Sequence, residues 1–159
     1  MTWVHGTTTA IWEQIRNQGI DFDSKRRSDP GDFGWGFYVT TNQVRAQTYG
    51  EAQIEVGLDE SKFAVLPHPY FLNGFEKVEP QTEEEKLFHS LAFSEEGKML
   101  TLRGTKEERE TVCKKIRDEF LKRGYLGIIT PHSGGEAVVF SPDGITSMSL
   151  CEEGGSDVG

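Results

Sequence analysis

Apolar positions fall into short runs separated by glycine and charge. Trp3-Val4 is the first run, and it predicts a short buried strand ending in a polar turn at His5-Gly6. Thr7, Thr8 or Thr9 can cap the helix that follows. Ile11 and Ile15 lie four apart and predict one buried face for a helix from Thr9 to about Gln18, with Gly19 as its stop. Ile20 and Phe22 anchor the exit. Asp21 to Gly36 is polar, charged and glycine-bearing, which predicts a long loop. Such a loop is either a surface excursion or a lid over His5 that brings Lys25, Arg26 or Arg27 to a phosphate.

Phe37-Tyr38-Val39-Thr40-Thr41 predicts a strand. Thr41 or Asn42 then caps a short helix carrying Val44, Ala46 and Tyr49, with Gly50 at its end. Ile54 to Leu58 alternates as a half-buried strand does, and Phe63 to Leu66 predicts another, closed by Pro67 and Pro69. Thr82 with Glu85 is a capping box, opening a helix that carries Leu87, Phe88 and Leu91. Its acidic start, Glu83-Glu84-Glu85, suits the positive end of the helix dipole and predicts a solvated first turn. Met99 to Leu102 predicts a short extended piece. Thr105 with Glu108 opens the longest helix, Lys106 to about Arg123, with an apolar stripe at Val112, Ile116 and Phe120. Leu126 to Thr130 predicts a buried strand, Ser133-Gly134-Gly135 a turn, Glu136 to Phe140 a strand, and Ile145 to Leu150 a last strand. Residues 151–159 are acidic and glycine-rich and predict a disordered tail beyond a single domain of residues 1–150.

Composition narrows the class. A chain of 159 residues with 35% hydrophobic and 27% charged residues reads as one soluble domain. No apolar run approaches the ~18 residues of a membrane helix, and no signal-peptide pattern opens the chain. The expectation is a cytoplasmic protein, or a toxin or effector delivered into a host or target cell without a cleavable signal. Cys113 and Cys151 are read as free thiols, with neither a disulfide framework nor a metal site. The net charge of −9 disfavours a nucleic-acid partner and requires that any phosphate-bearing ligand be held by local features.

Three features carry candidate chemistry. They are His5-Gly6-Thr7, the stretch Gly34-Trp35-Gly36-Phe37-Tyr38 with Tyr49 eleven residues on, and Glu136 opening an apolar strand. Each has a plain alternative. His5 can be structural, the tyrosines can be core aromatics, and Glu136 can be a charge guarding a sheet edge.

In this order the set resembles the ADP-ribosyltransferase superfamily, in its diphtheria-toxin-like His-Tyr-Glu group related to poly(ADP-ribose) polymerase catalytic domains. The resemblance covers about Trp3 to about Met148 and leaves about Pro67 to Gly104 unmatched. It implies an α+β fold with split, mostly antiparallel β-sheets around an NAD cleft, flanked by helices. It implies NAD as co-substrate and no metal. Tyr38 and Tyr49 would sandwich the nicotinamide, whose cationic ring favours an aromatic face. The Gly6 backbone would hold the carboxamide where a side chain would obstruct it. His5 would donate to the adenosine-side ribose, and Thr7 belongs to the same motif. Glu136 would bind the nicotinamide-ribose 2′-hydroxyl and stabilise an oxocarbenium-like transition state. Arg26 or Arg27 could pair with the pyrophosphate.

The arginine-modifying branch has Glu or Gln two residues before the catalytic Glu, where this chain has Gly134. Arginine modification is therefore disfavoured. The expected activity is mono-ADP-ribosyl transfer to a macromolecule, with protein preferred to nucleic acid as acceptor. The alternatives are an NAD glycohydrolase and a non-catalytic NAD- or ADP-ribose-binding module. The related RNA 2′-phosphotransferase chemistry is disfavoured by the acidic charge.

Overall fold

Helix starts are set by local hydrogen bonding. The computed structural model describes residues 2–22, 31, 33–68, 79–131 and 135–151. Thr8 caps α1 (Thr9–Gln18) by accepting from the Ile11 amide. Asn42 caps α2 (Gln43–Gln47) in the same way through Arg45. Thr82 and Thr105 form the expected capping boxes of α3 (Glu83–Ala92) and α5 (Lys106–Lys122). Between these two lies α4 (Leu100–Arg103), where extended chain was expected. A short apolar run does not separate strand from helix by its pattern. Met99 is fully buried with Phe93 opposite it in an isolated bridge, and the turn that follows docks on α5.

The strands are β1 (Trp3–Thr7), β2 (Phe37–Thr40), β3 (Ala52–Leu58), β4 (Ala64–Val65), β5 (Gly127–Thr130), β6 (Glu136–Val139) and β7 (Ile145–Leu150). They form one seven-stranded sheet in the order β4-β5-β6-β2-β1-β3-β7. β4 and β5 run parallel, and every other neighbouring pair is antiparallel. The chain is thus α+β with a mixed sheet. Two separate sheets were expected; the strands are instead continuous across a narrow seam. β1 and β2 share one register pair, Val4 with Thr40, whereas β1 matches β3 along its whole length.

Alternation along β6 divides the core. Val138 packs with Phe88, Ile116 and Phe120 of α3 and α5. Ala137 and Val139 pack on the other face with Trp3, Trp12 and Ile15. Trp12 and Ile15 are the buried residues of α1, so the expected Ile11 face is corrected: Ile11 is exposed. Position 12 carries the larger apolar surface, and the helix turns that side to the sheet. His5 and Gly6, expected in a turn, remain in β1 because pairing with β3 continues through Thr7 and Ala52. Among the described residues, no helix is long and apolar enough to cross a membrane. Arg26, Arg27, Gly134 and the expected tail beyond Cys151 lie outside the described residues.

One acidic residue departs from the expected solvated first turn. Glu83 is exposed, but Glu85 is fully buried. Its carboxylate accepts from the amides of Gln81 and Thr82 at 3.1 Å, and from the amide and Nδ1 of His68 at 2.8 Å. Burial pushes the carboxyl up, but these donors together outweigh it and hold it below its ordinary value of 4.5. A depressed folded value means that Glu85 contributes stability above the ordinary value, and that this is lost as pH falls through the folded value. Glu85→Ala is therefore expected to cost about 3 kcal/mol at pH 7. In urea unfolding, its gap to wild type should narrow toward pH 3; a gap independent of pH contradicts the ionised assignment.

Candidate functional site

The seam between β1 and β2 opens into a cleft of about 210 Å³, lined by His5, Gly6, Gly31, Tyr38, Thr40, Arg45, Ala46, Tyr49 and Glu136, with Val4 and Val39 behind them. These residues come from β1, β2, α2 and the turn after it, β6 and the chain before β2. The volume is below the ~300 Å³ at which pockets for drug-sized ligands begin. It suits one ring-sized portion of a ligand, with the remainder held outside.

Strand pairing explains how the cleft arises. The Thr41 amide donates to the Gly135 carbonyl at 3.0 Å, on the β6 side. Alternation then turns the backbone polar groups of Thr40 and Tyr38 toward β1. Thr40 meets Val4 there, but Gly6 and Tyr38, two residues further along, are not paired. The Tyr38 carbonyl receives His5 Nδ1 at 2.7 Å instead. A carbonyl only accepts, so Nδ1 carries the proton. The imidazole also stacks on Phe37, with centroids 4.0 Å apart and planes 26° apart. This fixes what the other nitrogen can do. In the neutral ring Nε2 is an acceptor, so His5 would accept from a ribose hydroxyl. The expected donation requires the protonated ring.

Gly6 also departs from its expected reason. A Cβ there would lie 1.8 Å from the Ala46 carbonyl oxygen and 2.6 Å from its carbon. The missing side chain admits the backbone of α2, whose last turn closes the cleft. Its strand alternation still turns the Gly6 amide and carbonyl toward the open seam.

Tyr38 and Glu136 share one face of the sheet. Tyr38 is paired with Val138, and Thr40 with Glu136. The Tyr38 hydroxyl donates to the Gly34 carbonyl at 2.6 Å and accepts from the Phe33 amide at 3.1 Å. The hydroxyl is thus a fastening for the chain before β2, and the ring lines the cleft. Gly31 lies at φ 99°, and a Cβ there would run into the Tyr38 hydroxyl at 2.3 Å. The same stretch is tied to α5 by the Trp35 amide on the Cys113 carbonyl and by Cys113 Sγ on the Gly31 carbonyl.

Glu136 is buried in the sheet interior, between β5 and β2, so it is not an edge charge. Thr130 and Thr40 flank it in register on the two sides. Its Oε1 lies 3.7 Å from Nη2 of Arg45. Tyr49 falls in the turn after α2 and is 60% exposed at the rim. Thr7 is buried in β1 and is not part of the cleft lining.

The structure therefore brings together His5, Gly6, Tyr38, Tyr49 and Glu136. Sequence reasoning missed Arg45 and Thr40. A signal for Arg45 was present: it lies four residues before Tyr49, a spacing that shares one face of the helix expected over both from the sequence. Comparison with protein-family models, with curated proteins and with solved structures returned no match.

Because Gly6 gives way to a backbone carbonyl and not to a flexible side chain, Gly6→Ala is expected to cost about 3 kcal/mol. Equilibrium urea unfolding measures this. A variant as stable as wild type contradicts the close docking of α2.

Proposed function

We propose that the protein is an NAD-dependent mono-ADP-ribosyltransferase. It cleaves the bond between nicotinamide and ribose and passes ADP-ribose to a macromolecular acceptor. One observation carries the reading. His5, Gly6, Tyr38, Tyr49 and Glu136 are spread from one end of the sequence to the other, yet all line the same cleft. The likeness to the His-Tyr-Glu group of ADP-ribosyltransferases rests on the order of those residues, and their convergence supports it.

The division of labour is the one that the resemblance implies, placed on the residues that line the cleft. The nicotinamide ring occupies the cleft between the Tyr38 and Tyr49 side chains, where aromatic faces favour its positive charge. The backbone of Gly6, facing the open seam, meets the carboxamide. His5 holds a ribose hydroxyl through Nε2. Glu136 binds the 2′-hydroxyl of the nicotinamide ribose. As the glycosidic bond breaks, positive charge grows on that ribose and strengthens its interaction with the carboxylate. An interaction stronger in the transition state than in the ground state raises the rate. The bonding electrons leave with nicotinamide, and the acceptor nucleophile attacks the sugar carbon and loses its proton.

The test is nicotinamide release from NAD by purified protein, with and without cell lysate and labelled NAD. Glu136→Gln keeps the shape and removes the charge. It is expected to lower release by at least about 100-fold. Label on a lysate component shows transfer, and Glu136-dependent release without label shows hydrolysis. Equal release by Glu136→Gln overturns the catalytic role of Glu136.

A further inference from the structure

Arg45 is the one cationic side chain lining the cleft among the described residues. It is partly exposed, at 35%, while Glu136 is nearly buried. Their 3.7 Å separation is beyond the ~3.2 Å limit of an ordinary N–H···O hydrogen bond. The pair is held by charge, without a directional bond to break. The chain carries a net charge of −9, so an anionic ligand needs a local cation at this mouth. Glu136, for its part, has to give its carboxylate to a ribose hydroxyl.

We propose that Arg45 exchanges partners. In the arrangement seen here it neutralises Glu136. When a phosphate-bearing ligand binds, its guanidinium turns to the phosphate and leaves the carboxylate to the sugar. A guanidinium meets phosphate oxygens through two parallel charge-assisted hydrogen bonds, better than a single contact at ion-pair distance. The backbone of Arg45 stays fixed while its side chain moves, because Asn42 caps the helix through the Arg45 amide at 3.0 Å. Recognition of the anion and release of the catalytic carboxylate thereby become one event. The inference rests on the NAD reading for the role of Glu136; the exchange itself requires only an anion.

The exchange makes Glu136 a competitor of the anion, which inorganic pyrophosphate can test by titration calorimetry. Glu136→Gln is expected to bind pyrophosphate about tenfold more tightly than wild type, or ~1.4 kcal/mol. Arg45→Gln is expected to abolish saturable binding in either background, and Arg45→Lys to retain part of it. Glu136→Gln binding no tighter than wild type overturns the exchange. So does a gain of the same size with Arg45 already replaced, since that is plain repulsion between Glu136 and the anion. If the pyrophosphate pattern holds and no NAD is consumed, the NAD reading fails and the exchange stands. If NAD is consumed and the pattern is absent, the exchange alone fails.

Discussion

A single hydrogen bond, from the imidazole of His5 to the carbonyl of Tyr38, sets the geometry on which the cleft depends. Two antiparallel strands that begin to pair ordinarily continue until a turn or bulge stops them. β1 and β2 stop after one register pair. The carbonyl that a continuing ladder would use is taken by a side chain from β1 itself. A buried or half-buried carbonyl needs a donor, and His5 supplies one without drawing the strands together. The sheet thus stays continuous and still contains an opening near its centre. The stacking of His5 on Phe37 fixes the ring in that seam.

α2 completes the opening. Its last turn rests directly on the Cα of Gly6, and Tyr49 follows at the rim. On the other side, the Tyr38 hydroxyl and Cys113 hold Gly31, Phe33 and Gly34 in place. The cleft is therefore bounded by backbone packed on backbone and by short hydrogen bonds, which preorganises its polar groups. Tyr49 is the exposed residue of the lining, and Arg45 beside it is partly exposed.

Local chemistry made much of this legible in sequence. The two capping boxes and the stripe of Val112, Ile116 and Phe120 depend on neighbours within a turn or two, and they appear as expected. The order of His5, Tyr38, Tyr49 and Glu136 also pointed to one site. What sequence did not show depended on distant partners. β1 continues past Val4 because β3 is beside it, and Leu100 to Arg103 turn into a helix that packs on α5. Glu85 is buried because His68, seventeen residues earlier, folds back onto it. Gly6 was read as room for a ligand, whereas the neighbour that requires it is Ala46. Arg45 was overlooked because one arginine on a polar helix resembles any solvated charge until the sheet places Glu136 opposite it.

The cleft is tested most directly by an NMR titration of uniformly ¹⁵N-labelled protein with nicotinamide, the ring-sized portion of the proposed ligand. Saturable shifts are expected at the amides of Gly6, Ala46 and Tyr49, with the His5 ring nitrogens retaining the proton on Nδ1. Shifts confined to residues away from the seam, or a His5 ring protonated only on Nε2, would contradict this site assignment.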